Sequence, residues 1–307
     1  MNVAGRLPAC QIPQWQSFDW RGLHFPNRLG IAGGVDKDGL GLRGWWNFGA
    51  GFVEVGTITP QSQPGNAGKR IARDMHRLAV WNRLGFPSQG AERLALRLSR
   101  LRHRPTPLFA NIGKNVQTPL EKAHDDYLML IDQFSNLVDG FVVNISSPNT
   151  KGLRELLAPT RLKEFIAPLS RKFENNKKPW LLKISPDVET QELEAILQIS
   201  SEAGAAGWVL TNTSQGLREG LHFPQDGGVS GLPLAERSKA LLRSVTSMLG
   251  RLKSDRLLIS VGGVLTPADV EERLAMGADL VQVYAALVFS GPNFFRQVAR
   301  WRQKRKS

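Results

Sequence analysis

One cysteine, Cys10, stands in a chain of 307 residues, which excludes an internal disulfide framework and any multi-cysteine metal site. Apolar runs stop at strand length, so nothing reads as a bilayer-spanning helix. The N-terminus, MNVAGRLPACQIPQWQ, lacks a charged start followed by an apolar core, and so is not a signal peptide. No Asp, Glu and His residues converge on a metal: His24, His76, His103, His124 and His222 are scattered over a hairpin, loops and helices. Linkers and low-complexity runs are missing too. With 41% hydrophobic and 22% charged residues the chain can bury a full core and stay soluble. A short segment, 1–17, followed by one domain over 18–307 is expected, in an intracellular protein.

What is abundant is positive charge. The formal net charge of +13 raises nucleic acid or an anionic membrane surface as partners. Much of it falls on helix-like stretches, 93–104 and 300–306, which read first as solvated faces or a frayed tail. No basic stretch is interleaved with aromatic residues as a stacking platform requires, so no nucleic-acid partner is expected. The surplus suits weak attraction to anionic lipid head groups. The expected location is the cytoplasm, with peripheral contact at the inner face of the cell membrane.

Phe18-Asp19-Trp20 and Leu23-His24-Phe25, turned by Arg21-Gly22, read as a small hairpin. Eight apolar, β-branched runs follow, at 29–35, 52–58, 107–112, 140–145, 180–184, 207–210, 257–261 and 280–284. Helical periodicity separates them, for example over 119–137, 191–203, 234–249 and 267–276. Cap signals stand at Thr118-Pro119 and at Thr266-Pro267 with Asp269. Strands alternating with helices imply a parallel sheet, because parallel strands need crossovers. An open doubly wound sheet competes with a closed barrel. An α/β fold of the parallel (β/α)8 TIM-barrel type is favoured, since polar groups gather at the C-terminal end of nearly every run, where such barrels place their chemistry. Long insertions, from 59 to about 105 after strand two and over 214–231 after strand six, are expected to act as lids or substrate-binding elements.

The stretch GFVVNISSPNTKGL, 140–153, starts as a buried strand and ends in amides and hydroxyls: Asn144, Ser146, Ser147, Asn149 and Thr150 around Pro148. Alone, it is as readily a strand followed by an Asx turn. The other strand ends add Ala32-Gly33-Gly34 with Lys37, then Thr57, Asn111, Lys183, Thr211-Asn212-Thr213 and Tyr284-Ala285. Asn82, Gly85 and Phe86 lie in the first insertion. Paired glycines let a flat ligand approach the backbone. The Gly262-Gly263 turn beside strand eight fits the usual phosphate site of these barrels. The set asks for a phosphorylated planar cofactor and a small polar substrate. Lys183 can stabilise negative charge at N1 and O2 of a reduced flavin. Asparagine amides match the imide and amide edges of a pyrimidine-like ring, and Lys37 can serve a carboxylate or the flavin rim. Ser147, abutting the Pro148 bend, is the candidate to take a carbon-bound proton, through a relay because serine is a weak base.

In series, AGGVDKDG, EVGTITPQSQPGN, NRLGF, NIGKN, DDYL, NISSPNT, LKISPD, TNTS, GGVSG, SVGG and VQVY resemble the dihydroorotate dehydrogenase family in its class 2, serine-base form, over about residues 18–297. The resemblance implies an FMN-containing barrel that oxidises (S)-dihydroorotate to orotate in pyrimidine (UMP) biosynthesis. Ser147 would remove the C5 proton while hydride passes from C6 to flavin N5, with a quinone as acceptor. Carried over residue by residue, the FMN contacts are Ala32, Gly33, Lys37, Thr57, Asn111, Asn144, Lys183, Thr211, Gly231, Gly263, Tyr284 and Ala285. The substrate contacts are Lys37, Asn82, Gly85, Phe86, Asn144, Asn149, Asn212 and Thr213, with Ser147, Lys37 and Asn144 as the catalytic group. Class 1 members use a cysteine base, and Cys10 lies nowhere near that position.

Several departures accompany the resemblance. Class 2 members carry a longer N-terminal extension of membrane-docking amphipathic helices. Here about seventeen residues precede the core, too few for that element, and Pro8 and Pro13 discourage a helix. Arg73 matches the arginine of the quinone tunnel, but within Lys69-Arg70-Ile71-Ala72-Arg73 in place of the family's Pro-Arg-x-Phe-Arg. Trp81 stands where the family has a smaller aliphatic residue, Pro87-Ser88 where an asparagine is common, and Ala285 where a Ser or Thr meets the phosphate.

Rival readings have their own residues. Gly39-Leu40-Gly41-Leu42-Arg43-Gly44 is a GxGxxG after a strand with Glu54 downstream, the pattern of a dinucleotide fold, but a lone match. An RNA-modifying flavin barrel of the dihydrouridine synthase type would suit the charge, yet it needs a cysteine acid on a barrel loop. A non-catalytic binding protein fits poorly with both lysines, Ser147 and the amides all present. The reading left open beside dihydroorotate oxidation is a soluble flavin reductase of the same family, adapted by Trp81 and the altered 69–73 stretch to another small cyclic substrate or acceptor. Oligomeric state is not legible.

Overall fold

The computed structural model describes residues 12–250 and 255–306; Pro8, Cys10 and most of the 1–17 segment lie outside them. β1 (Phe18–Trp20) and β2 (Leu23–Phe25) form the expected antiparallel hairpin. β3 (Leu29–Asp36) and β4 (Phe52–Ile58) begin a barrel, from which β5 (Ile71–Asp74) and β6 (Ala79–Asn82) depart. β7 (Leu108–Ile112), β8 (Gly140–Asn144), β9 (Trp180–Ile184) and β10 (Gly207–Leu210) continue it. β11 (Gly228–Gly231) departs again, before β12 (Leu257–Val261) and β13 (Leu280–Val283) close the ring against β3. Every neighbouring pair in the ring is parallel. All eight apolar runs are barrel strands, their ends shifted by no more than a residue.

Ring closure removes the doubly wound sheet, and with it the dinucleotide reading of 39–44. That loop leads into α1 (Leu42–Phe48), and the Asp36 carboxylate accepts the Leu40 and Gly41 N–H groups at 2.9 Å each. α2 (Ala91–Ser99) is the crossover from β4 to β7, so the segment that projects after strand two is 59–90 and not 59–105. β6 pairs antiparallel with both β5 and β11, so the two insertions meet in one small sheet that sequence periodicity did not reveal.

The remaining crossovers are α3 (Ala123–Phe134), α4 (Pro159–Asn176), α5 (Thr190–Glu202), α6 (Ala235–Leu249) and α7 (Pro267–Ala275), then α8 (Ala285–Ser290) and α9 (Phe294–Lys306). Thr266 and Asp269 form a reciprocal capping box at the start of α7, as their spacing predicts. Thr118 does not cap α3; its hydroxyl donates to Asp126 at 2.8 Å, and a 3-10 turn, Leu120–Lys122, precedes the helix. The basic C-terminal run is a helix, not a frayed tail. Arg302 is buried, pairs with Glu271 and lies over the Trp15 ring at 4.6 Å. Among the described residues no helix is long and apolar enough to cross a membrane.

Period-two alternation decides what fills the barrel. On β4, Val53 and Val55 pack outward among the helices while Phe52 faces inward; on β7, Leu108, Ala110 and Ile112 pack outward and Phe109 inward. Phe25 of the hairpin packs on Phe52 at 5.8 Å and Phe109 at 6.4 Å, sealing the N-terminal end with aromatic rings. Two residues further along each strand the same alternation delivers polar side chains instead: Glu54, Asn111 and, on β9 and β13, Lys183 and Gln282. They floor the opposite end.

Candidate active site

Glu54 is the residue on which this floor is built. It is fully buried and receives Asn111 Nδ2 at 2.5 Å and Lys183 Nζ at 3.3 Å on Oε1, and Gln282 Nε2 at 2.6 Å on Oε2. One carboxylate thus joins β4 to β7, β9 and β13. A buried charge is tolerable only when paired and hydrogen-bonded, and here both conditions hold. In the sequence Glu54 stands downstream of the rejected dinucleotide pattern and at the head of EVGTITPQSQPGN, with no role of its own. The usable signal was its phase: it sits two residues after Phe52 in an otherwise apolar strand, so it faces the barrel interior.

Above the floor opens a cleft of about 910 Å³ at the C-terminal ends of the strands. The residues singled out from sequence come together round it: Ser147, Lys37, Lys183, the glycines at 33, 85, 231 and 263, the amides of Asn82, Asn144, Asn149 and Asn212, and Ala32, Thr57, Phe86, Thr211, Thr213, Tyr284 and Ala285 all line it. Asn111 does not. It lies beneath, where its Oδ1 accepts Asn144 Nδ2 at 3.1 Å. Arg73 is also apart, on a second cavity of about 540 Å³ lined by Ile71, Ala72, Val80, Tyr284 and Val288. Tyr284 is common to the two cavities.

The amides are held by one another. Asn144 also donates to Thr57 Oγ1 at 3.0 Å, and Asn212 Nδ2 donates to Asn144 Oδ1 at 3.2 Å and to Ser146 Oγ at 3.0 Å. Asn149 Nδ2 donates to Asn82 Oδ1 at 2.7 Å, tying β8's end to the small sheet. Asn149 Oδ1, Thr213 Oγ1 and Gln282 Oε1 are buried without a partner. Unmade hydrogen bonds of this kind are expensive, and all three belong to residues lining the cleft.

Charge in the cleft is of one sign. Among the described residues no carboxylate lines it. Burial lowers the Lys37 ammonium to about 8, with repulsion from Lys183 adding to the effect and Asp38 and Asp36 opposing it. Its Nζ donates to the Gly34 carbonyl at 2.6 Å. Among the described residues no group of His, Cys, Asp and Glu is placed to hold a metal ion.

A cluster that sequence reading missed fixes the loop after β10. Arg154 donates to Ser146 O at 3.0 Å, Thr213 O at 2.7 Å and Asp187 Oδ2 at 2.8 Å. Ser214 and Arg237 also donate to Asp187, at 2.5 and 2.9 Å. Burial alone would raise the Asp187 carboxyl, but Ser214, the Gln215 N–H and Arg154 together hold it below the usual carboxylate range. Trp81 serves the same loop. Its indole N–H donates to Asp226 O at 2.6 Å, while Val80 and Asn82, on the other face of β6, line the two cavities.

A parallel barrel whose C-terminal mouth offers cations, unsatisfied amide and hydroxyl groups and no acid belongs to the barrel enzymes that bind small anionic, hydrogen-bonding ligands. The particular family follows from comparison: the chain belongs to the dihydroorotate dehydrogenase family, whose model matches residues 17–303. It is 45% identical to a dihydroorotate dehydrogenase (quinone) of Synechococcus sp. (strain JA-2-3B'a(2-13)), with 98% of this chain and 82% of the relative aligned. Its identity to a dihydroorotate dehydrogenase (quinone) of Thermus thermophilus is 44%, over 97% of this chain and 85% of the relative. The ligand-free dihydroorotate dehydrogenase of Eimeria tenella superposes with a TM-score of 0.86 at 31% identity, over 96% of this chain and 89% of that one.

Replacing Glu54 by leucine leaves the Lys183 charge buried without its partner. Urea unfolding of Glu54→Leu is expected to show a loss of about 3–5 kcal/mol; a loss below about 1 kcal/mol would contradict the place given to the carboxylate.

Proposed function

We propose that this protein is an FMN-dependent dihydroorotate dehydrogenase that oxidises (S)-dihydroorotate to orotate in pyrimidine biosynthesis and passes the electrons to a quinone. The observation that carries this reading is the contrast between two adjacent serines. Ser146 is fully buried and bonded to Asn144 and Asn212, whereas Ser147 lines the cleft and accepts only the Asn149 N–H, at 3.2 Å. Ser147 is therefore the hydroxyl of the central motif that can reach a substrate.

FMN is the cofactor of the family, and the cleft fits it. A Cβ on Gly33 would lie 2.2 Å from Glu54 Oε1 and 2.7 Å from Asn111 Nδ2, so a side chain there would collide with the floor. Gln282 Oε1 is unpartnered at the same level. Ala32, Gly33, Lys37, Thr57, Asn144, Lys183, Thr211, Gly231, Gly263, Tyr284 and Ala285 would hold the cofactor, with Asn111 acting through Asn144. When bound, FMN supplies the acceptor for the hydride that leaves C6.

The protein's own groups do the rest. Lys37 attracts the substrate carboxylate. Asn82, Asn149, Asn212 and Thr213 hold the polar ring edges, with Asn149 Oδ1 and Thr213 Oγ1 still free to bond, while Gly85 and Phe86 close over the ring. Ser147 takes the C5 proton and passes it on through a water or a neighbouring hydroxyl, since an isolated serine is a poor base. Lys183, fixed by Glu54, stabilises negative charge as it develops on the cofactor.

The acceptor is assigned from the quinone-linked relatives together with the second cavity. Its lining is apolar apart from Arg73 and Tyr284, and Tyr284 is shared with the main cleft. Exposed Ile71 and Met75 on and beside β5, with the chain's positive surplus, support docking at an anionic membrane surface from the cytoplasmic side. Trp81 faces neither cavity, which removes the support for a changed substrate through that residue.

Two outcomes test these roles. Ser147→Ala is expected to keep FMN while dihydroorotate reduces it about 10²–10⁴-fold more slowly in anaerobic stopped flow; unchanged reduction would contradict the base. Lys37 is charged below about 8 and loses its proton as pH rises through that value. Orotate affinity is therefore expected to be highest below pH 8 and to fall above it, in a titration across that range, and to lose that pH dependence in Lys37→Met. A wild-type affinity flat through pH 8 would exclude Lys37 as the carboxylate partner.

A further inference from the structure

Arg273 of α7 is a charged residue that the mechanism above does not use. It is 1% exposed. Its guanidinium donates to Ser238 Oγ at 2.8 Å, to the Gly262 carbonyl at 2.9 Å, to the Ala235 carbonyl at 3.1 Å and to Ser260 Oγ at 3.3 Å. Every acceptor is neutral. Among the described residues no carboxylate pairs with Arg273, and its Nε has no acceptor at all. Burial pushes the group down to about 10, against the opposing influence of Glu272, Asp269 and Glu236, and it stays protonated at neutral pH. A buried cation with only neutral groups in contact, its nearest carboxylates acting from a distance, is an expensive arrangement in a protein interior. Something anionic should repay it.

The direction of the Gly262 carbonyl says where. In a trans peptide the C=O and the following N–H point to opposite sides. The Gly262 carbonyl turns back toward Arg273 and is held there by the Ser238 hydroxyl as well, at 2.7 Å. The Gly263 N–H is thereby turned away from the guanidinium, and both glycines line the cleft. That N–H meets no protein acceptor among the described residues. The turn has no freedom to do otherwise: Gly262 and Gly263 have φ of +111° and +73°, and a Cβ on Gly263 would lie 2.3 Å from Ala235 Cα.

We propose that Arg273 is a positioning residue for the phosphate end of the cofactor: from behind the glycine turn it fixes and polarises the 262–263 peptide and supplies a positive charge, with no carboxylate in contact, that the phosphate answers. This rests on the FMN reading of the cleft. Arg273 is not a contact residue, since one peptide unit separates it from the ligand. A purely structural tether among α6, β12 and α7 would also account for its four hydrogen bonds, but a tether gives no reason for the ligand's charge to matter.

Phosphate dependence therefore separates the two. Apoprotein of the full chain is titrated with FMN and with riboflavin, which lacks the phosphate, by quenching of flavin fluorescence. Arg273→Met is expected to weaken FMN by about tenfold or more, the size of one charge-assisted interaction, and riboflavin by less than about twofold. Arg273→Lys, which keeps the charge, is expected to recover most of the preference for FMN. Equal weakening of both flavins by Arg273→Met would mean a tether, and undiminished FMN affinity would mean no role; either overturns the proposal. Should Arg273→Met fail to fold, Arg273→Lys decides: a folded lysine variant that still prefers FMN supports the charge, and one that has lost the preference contradicts it. If the wild type binds neither flavin, the FMN reading itself fails. If the wild-type preference survives Arg273→Met, only the role of Arg273 does.

Discussion

A carboxylate without access to water sits inside the barrel, and the site above it depends on how that charge is satisfied. Glu54 holds Asn111, Lys183 and Gln282, so four of the eight strands are tied together at the level where apolar filling gives way to chemistry. The pairing fixes Lys183 at the lining of the cleft, where the proposed role needs it. Asn111 passes the constraint to Asn144, and Asn144 to Thr57 and Asn212. The amide bed of the cleft is thus one connected network standing on a single ion pair. Rigid positioning of this kind is what the proposed use of Ser147, a weak base, requires, because alignment supplies part of what basicity does not.

Charge balance follows the same logic at two further points. Lys183 is matched by Glu54, whereas among the described residues Lys37 and Arg273 have no carboxylate in contact. One borders the cleft and the other lies behind the glycine turn that lines it, so the protein carries positive potential at two places where an anionic ligand group can answer it. The loop after β10 is fastened by Arg154, Asp187 and Arg237 at one end and by Trp81 at the other. These contacts lie outside the proposed substrate contacts and hold the loop that carries Asn212 and Thr213.

Much of the barrel was legible because its strands are buried on both faces and read as unbroken apolar runs separated by helical periodicity. Their ends were legible for a related reason: Asn144 and Ser147, or Thr211 and Asn212, break an apolar run abruptly, which a solvent-facing strand would not do. The small sheet was not. IARD and AVWN are short and partly polar, and AVWN pairs with Gly228–Gly231, far along the chain, which no local pattern encodes. Inward-turned arginines were also hidden. Buried Arg273 and Arg302 and half-buried Arg154 look like surface charge in a helical sequence, and only tertiary packing turns them inward. Glu54 was given no role, since the only pattern its spacing suggested was a lone glycine-rich match, while its phase within β4 carries the real information.

The most direct test of the central claim is anaerobic mixing of the purified, FMN-loaded protein with (S)-dihydroorotate while the visible flavin absorbance is followed. Rapid bleaching, with orotate formed in equal amount, is the expected result. A yellow protein whose colour dihydroorotate leaves unchanged would contradict it.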